Sequence, residues 1–408
     1  MSHERISRMN SQDNRLMVSG RALSDYLQGS SKPHYIYSKA EIADRISALR
    51  SALPAAIKLH YAMKANPNSD VLRYVAGLVD GLDVASVGEM QQAITTGATH
   101  ISFAGPAKQE HELAAAINAG VIINVESPTE LQRIQQLAKK SQQTAKIALR
   151  VNPDFELKQS GMQMAGGAKP FGIDAENIPA VMQTIDTSCA KLVGFHIFSG
   201  SQNLDAQAII NAHEQTFNLA QSLINEAQAQ GLGDAVEHVN IGGGFGIPYF
   251  SGQTALEVAP IAASLSALLA GRTGVFAKAN IVMELGRYIV GEAGYYVCQI
   301  TDIKASRGTK YLMVNGGLHH HLSNSGNFGQ VIRKNYPTVL ADKISVEPLE
   351  KVEIAGPLCT PLDIVAAKIS LPIAEIGDYV VVLQSGAYGF SASPLGFLGH
   401  EPPVELLV

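Results

Sequence analysis

Apolar residues recur along this chain in two rhythms. Eight short segments are apolar at nearly successive positions: LHYAMKA from Leu59, LDVAS from Leu82, HISFAG from His100, VIINVE from Val121, IALRVN from Ile147, LVGFHIF from Leu192, HVNIGG from His238 and IVMELG from Ile281. Such runs suit parallel strands covered by helices on both faces. The stretches between them, among them SVGEMQQAITTGA, SPTELQRIQQLAKK and DAQAIINAHEQTFNLAQSLINEAQAQG, return their apolar residues at steps of three and four, the rhythm of an amphipathic helix. Eight such units over roughly 250 residues match a (β/α)8 barrel. Strand count alone does not show closure, so a doubly wound open sheet is the alternative.

Beyond Arg287 the helical rhythm fades. RYIVGEAGYYVCQITDIKA, KYLMVNGG, KVEIAGPLC and DYVVVLQSGAYG read as strands, which predicts a mostly β C-terminal domain over residues 288–408. The early PHYIYS segment is strand-like as well, so residues 33–39 are expected to join that domain, leaving 40–287 for the barrel. Residues 1–32 open with the polar MSHERISRMNSQDNRLM and are read as a partly disordered N-terminal tail.

Composition narrows the function. The chain has 408 residues, 46% of them hydrophobic and 16% charged, enough to bury a large core. Net charge is -5 and no block of like charges appears, so neither nucleic acid nor an anionic membrane surface has its electrostatic footprint here. A small-molecule partner is expected. Cys189, Cys298 and Cys359 lie far apart with no CxxC pair, which fits a reducing cytoplasm better than a disulfide framework or a zinc site. No signal peptide or membrane-spanning apolar run is evident.

In a barrel of this type, chemistry sits at the C-terminal ends of the strands. Lys64 ends the first strand in HYAMKANPN; a lone lysine is ordinarily a solvated loop residue, but a partly desolvated one can condense with an aldehyde. Gly242-Gly243-Gly244 closes the seventh strand, where glycines let backbone N–H groups approach a phosphate. The eighth strand ends in Glu284-Leu285-Gly286-Arg287, either a surface ion pair or an arginine for that phosphate beside a carboxylate for a protonated nitrogen. An amine for an aldehyde, a phosphate cradle and an acid for a ring nitrogen together describe pyridoxal phosphate.

The motifs YAMKAN, GLDVASVGEM, LRVNPD, GFHIFSGSQ, NIGGGFG, ELGRYIVGEAG, GPLCTPLD and SGAYGF, in this order, resemble those of the fold-type III pyridoxal-phosphate decarboxylases, the diaminopimelate and ornithine decarboxylase family. The resemblance runs from about residue 33 to the C-terminus. It implies an alanine racemase-like barrel followed by a β domain, a homodimer with shared active sites, and decarboxylation of an amino acid. By matching position, Lys64 would hold the cofactor's aldehyde and Glu284 its ring nitrogen. Gly242, Gly243, Gly244, Ser201, Arg287 and Tyr388 would bind the phosphate, while Asp83 and Arg150 would line the pocket. Cys359, otherwise read as a small buried residue, would protonate the carbanion from the partner subunit. Racemases of this fold are said to set an arginine against the ring nitrogen, so Glu284 favours decarboxylation.

Three departures bear on the substrate. Thr360 stands where both named relatives carry an acid for a distal ammonium, and a neutral hydroxyl does not balance a desolvated ammonium. Phe198 stands where relatives place the histidine that stacks on the ring; His196 occupies a separate matching position and also reads as a core histidine. His319, His320 and His321 are consecutive in VNGGLHHHLSNSGNFGQVIRKNYP. Read as strand residues they alternate in direction and cannot share one metal, so no metal is expected. Thr360, His319, His320 and Arg333 are taken as substrate-side candidates. These features most resemble a specialised-metabolism branch that includes the butirosin glutamyl-carrier-protein decarboxylase and decarboxylases of siderophore pathways. The implied substrate is a conjugated L-amino acid, carrier-bound or citrate-linked, with an acyl-carrier protein as a candidate partner and Arg333 and Lys334 as basic side chains to meet it. The alternative is a free amino acid such as diaminopimelate.

Overall fold

The eight apolar segments form eight parallel strands in a computed structural model, which describes residues 4–27, 29–156, 161–324 and 334–408. They run Ile57–Ala62, Gly81–Val84, Ile101–Phe103, Ile122–Val125, Ala145–Asn152, Ala190–Ile197, His238–Gly243 and Asn280–Leu285. The sheet closes on itself. The eighth strand pairs with the first through Met283↔Leu59 and Glu284↔His60, and the fourth pairs with the fifth through Asn124↔Ala148. Closure decides for the barrel over the open sheet.

Helices enter where short polar side chains can satisfy their free N–H groups. Ser38 caps Lys39–Ala52, Asn68 caps Ser69–Ala76, Ser86 caps Val87–Thr95 and Ser127 caps Pro128–Ser141. Pro128 also suits its place at the helix start, where its missing N–H costs nothing. The longest helix, Ala206–Ala229, presents Ile209, Ala212, Phe217, Ala220, Leu223, Ile224 and Ala227 to the core, the helical spacing read from the sequence.

In the second domain, Gly294–Ser306 is flanked by Thr309–Val314, Tyr379–Val382 and His34–Tyr37. His34–Tyr37 also pairs in parallel with the C-terminal strand Val404–Leu407. Both ends of the chain therefore meet in the β domain.

The N-terminal segment differs from the expected tail. Ser11–Gln12, Arg15–Val18 and Arg21–Ala22 make a small antiparallel sheet. Leu16, Val18, Leu23 and Leu27 bury themselves against Ile36, Tyr295, Val297, Val339, Val381 and Leu383. Each fully buried aliphatic side chain contributes about 1.5–3 kcal/mol, and Leu16 N–H adds a bond to the Ala341 carbonyl at 2.7 Å. Four such side chains outweigh the polarity of the surrounding residues and order the segment. Among the described residues, no helix is long and apolar enough to cross a membrane.

Candidate active site

Lys64 follows the first strand in a single 3-10 turn whose other members, Met63 and Ala65, are buried. With its neighbours anchored, the lysine is the residue that projects into the barrel mouth. Its Nζ lies 3.4 Å from Glu284 Oε1 and 5.9 Å from the centre of the Phe198 ring. Register explains the first contact, because Glu284 sits directly beside His60 on the neighbouring strand. His196, near the end of the sixth strand, brings Nε2 to 3.4 Å from the other Glu284 oxygen. Burial alone would push the Glu284 carboxyl up, but Lys64, His196 and Arg150 outweigh it and hold the acid far below the usual carboxylate range. Desolvation opposes the Lys64 ammonium, yet Glu284 and Tyr388 raise its pKa above the ordinary lysine value.

Asp83 is the next-to-last residue of the second strand, with Oδ1 3.5 Å from His60 Nδ1. Burial and the nearby Glu284 charge raise its pKa against the pull of His60. Arg150, on the fifth strand, donates from Nη1 to Glu126 Oε1 at 2.6 Å and lies 5.1 Å from the centre of the Phe171 ring.

The glycine loop serves two needs. Gly242 and Gly244 have φ of +70° and +79°, a region where a Cβ is strained. A Cβ on Gly243 would also stand 2.0 Å from the Glu284 carbonyl oxygen, so the close approach of the last two strands requires glycine there. Gln202 clamps the loop from outside by exchanging two hydrogen bonds with the Ile247 backbone, at 2.6 and 3.2 Å. Nearby, Ser201 Oγ is buried with no hydrogen-bond partner among the described residues, a costly state that an incoming acceptor relieves. Arg287 donates to the Tyr249 hydroxyl at 2.8 Å and lies 4.6 Å from the centre of the Tyr388 ring. Tyr388 adopts a left-handed backbone at φ 54°, held by its N–H bond to the Ala65 carbonyl at 2.7 Å. That bond ties the β domain to the Lys64 turn.

These groups fit pyridoxal phosphate. A hydroxyl lacking a partner, glycine N–H groups and an arginine suit a phosphate; an amine suits an aldehyde; a strongly ionised acid suits a protonated ring nitrogen. Among the described residues, no group of three or more His, Cys, Asp or Glu side chains is arranged to hold a metal ion.

The substrate-side candidates lie elsewhere. Cys359 is exposed on a turn of the β domain, and Thr360 beside it is half-buried. The three histidines form a turn rather than a strand, because His320 and His321 N–H both bond to the Gly317 carbonyl. The alternation of strand side chains therefore does not apply to them. His320 contacts the Tyr296 hydroxyl and the Glu401 carbonyl, His321 contacts Ser385 Oγ, and His319 packs between His320 and His400. All three are buried in the β domain, and their ring neighbours are Tyr35, Tyr296, Tyr336 and His400. Arg333 lies outside the described residues.

His60, Glu126, Lys108 and Tyr249 escaped the sequence reading. Glu126 carried a signal, since it directly follows the fourth strand. Tyr249 lies five residues past the glycine loop, and nothing in the sequence marks Lys108.

Residues 39–291 match the family model described as pyridoxal-dependent decarboxylase, pyridoxal binding domain. The L-glutamyl-[BtrI acyl-carrier protein] decarboxylase of Niallia circulans is 37% identical over 92% of this chain and 88% of its own. The 2-[(L-alanin-3-ylcarbamoyl)methyl]-2-hydroxybutanedioate decarboxylase of Staphylococcus aureus is 30% identical over 93% of this chain and 95% of its own. The crystal structure of diaminopimelate decarboxylase from M. jannaschi superposes with a TM-score of 0.87 at 26% identity, covering 99% of this chain and 93% of that one. With the family model spanning more than half of the chain and these relatives matching it nearly end to end, the protein belongs to the pyridoxal-phosphate-dependent decarboxylases, carboxy-lyases acting on amino acids.

Proposed function

We propose that this enzyme removes the α-carboxylate from an L-amino acid whose distal end is already conjugated, as a carrier-bound thioester or a citrate-linked amide. The observation that carries this reading is the Cys359 turn. Thr360 offers a neutral hydroxyl there, and Asp363, the acid of the same turn, faces inward: it is 2% exposed and accepts N–H groups from Leu318 and Leu358 at 2.6 and 2.8 Å. A turn without an outward carboxylate suits a substrate whose distal ammonium is absent or blocked. The relatives named for a glutamyl-carrier protein and for a citrate-like conjugate support the same class.

Bound pyridoxal phosphate supplies the sink for the electron pair left when the bond from Cα to the carboxylate breaks. Around it we assign Lys64 to the aldehyde, Glu284 to the proton at the ring nitrogen, and Ser201, Gly242–Gly244, Arg287 and Tyr388 to the phosphate. Phe198 would stand against the ring, and His196, Asp83 and Arg150 would set the charge around Glu284. Cys359 is exposed in one chain, so we assign it to the active site of a second copy in a homodimer, where its thiol gives a proton to Cα. Lys64 would hold the aldehyde whenever no substrate occupies the site.

The test is CO2 release measured over free amino acids, citrate conjugates and carrier-bound aminoacyl thioesters. A conjugate is expected to be turned over with the highest kcat/KM. Diaminopimelate or lysine as the best substrate would overturn the reading.

A further inference from the structure

Glu126 is the first residue past the fourth strand, and its carboxylate gathers three neighbouring segments. One oxygen accepts from Arg150 Nη1 at 2.6 Å and from Gly105 N–H at 2.7 Å; the other accepts from Gly172 N–H at 2.8 Å. Gly172 has φ +74°, and a Cβ there would stand 2.9 Å from the Arg150 carbonyl oxygen, so the chain is shaped to bring that N–H to the acid. Behind Glu126 stands a second pair. Glu130 Oε2 accepts the Glu126 N–H at 2.6 Å, and its Oε1 accepts from Lys108 Nζ at 2.8 Å. Lys108 also donates to the Asn124 carbonyl at 2.8 Å.

The side chains of Lys108 and Glu130 are 2% exposed, and those of Arg150 and Glu126 8% and 4%. Two acids and two bases cancel, and removing one would leave a buried charge without its counter-charge. The consequence reaches the site, because the Arg150 charge pulls down the pKa of both Lys64 and Glu284. A guanidinium free to rotate would change the field at both groups.

We infer that Glu126, held in turn by Glu130 and Lys108, is a positioning residue that fixes the Arg150 guanidinium and through it the electrostatics of the cofactor pocket. This holds for any substrate and does not rest on the conjugate reading. It is tested on the intact protein by titration with pyridoxal phosphate, following the visible absorption of the bound cofactor. Glu126→Gln is expected to weaken binding at least about tenfold and to shift the absorption maximum, and Lys108→Met to do the same. Glu130→Gln keeps the hydrogen-bonding shape while removing one charge, and is expected to shift the maximum by less. In an Arg150→Ala background, Glu126→Gln should add little, since interacting residues are not additive. Unaltered affinity and maximum in Glu126→Gln or, where that variant does not fold, in Glu130→Gln would overturn the inference. An equally large additional loss in the Arg150→Ala background would also overturn it.

Discussion

The barrel mouth and the Cys359 turn are built in opposite ways. At the mouth, Glu284, His196 and Arg150 stand on three strands whose register leaves them little freedom, Lys64 rises from the 3-10 turn that follows a fourth, and Glu284 is 6% exposed. The turn at Cys359 shows its thiol to solvent, while its order comes from the buried Asp363 carboxylate bonded to two backbone N–H groups. The charged groups of the first region meet one another within one chain. The second carries its thiol on the surface of the β domain, and the role proposed for Cys359 requires a second copy to receive it. The charges of the mouth are fixed by packing, whereas the proton delivery proposed for Cys359 would take place where a partner can reach it.

The sharpest break of this contrast is a pair of variants. Lys64→Ala is expected to abolish the visible band of the bound cofactor and to lower kcat/KM by more than about 10^4-fold, since the proposed role of the lysine is the covalent hold on the aldehyde. Cys359→Ala should keep the band and lose about 10^2–10^4-fold in kcat, the usual range for one proton-transfer group. Mixing the two inactive proteins should then restore about a quarter of wild-type activity, because half of the dimers in a two-fold assembly pair unlike chains, each with one intact site. No recovery after verified subunit exchange would show that no active site combines Lys64 of one copy with Cys359 of the other, and would overturn the cross-subunit assignment.

A smaller effect separates the two regions energetically. Leu16→Ala removes a fully buried side chain from the core beneath the β domain and should cost about 2–5 kcal/mol in chemical denaturation. Cofactor affinity in the folded fraction should stay at the wild-type value, since this core lies among β-domain and N-terminal residues. A parallel loss of cofactor affinity would show that the mouth depends on the β domain more than its own strands suggest.

Much of the mouth was legible because strand ends and signature residues coincide. Lys64, the glycine loop and Glu284 each close an apolar run, so periodicity located them before any contact was known. The Glu126 quartet was not legible: Glu126 and Arg150 lie 24 positions apart in sequence and meet through the pairing of strands four and five, which no local pattern encodes. The N-terminal sheet was missed because its strands are two to four residues long, too short for alternation to stand out against polar neighbours. The three histidines misled for a physical reason. Apolar residues around VNGGL suggest a continuing strand, but the strand ends at Val314, and the Gly317 carbonyl draws the chain into a turn.

The smallest expected effect bears on what the turn faces. Thr360→Glu adds a carboxylate at a half-buried position beside Cys359 in place of the hydroxyl that accepts from Leu362 N–H at 3.3 Å, while the Asp363 carboxylate keeps its bonds to the Leu318 and Leu358 N–H groups. If Thr360 faces the distal end of a substrate held by the neighbouring copy, a free diamino acid gains an ion pair worth about 0.5–1 kcal/mol at a partly exposed site. Its kcat/KM should therefore rise two- to fivefold relative to a neutral conjugate. The cofactor spectrum should stay unchanged, because the mouth lies on the other side of the contrast. An equal change for both substrates would mean that the turn controls access or thiol reactivity instead, and would remove Thr360 from the substrate contact.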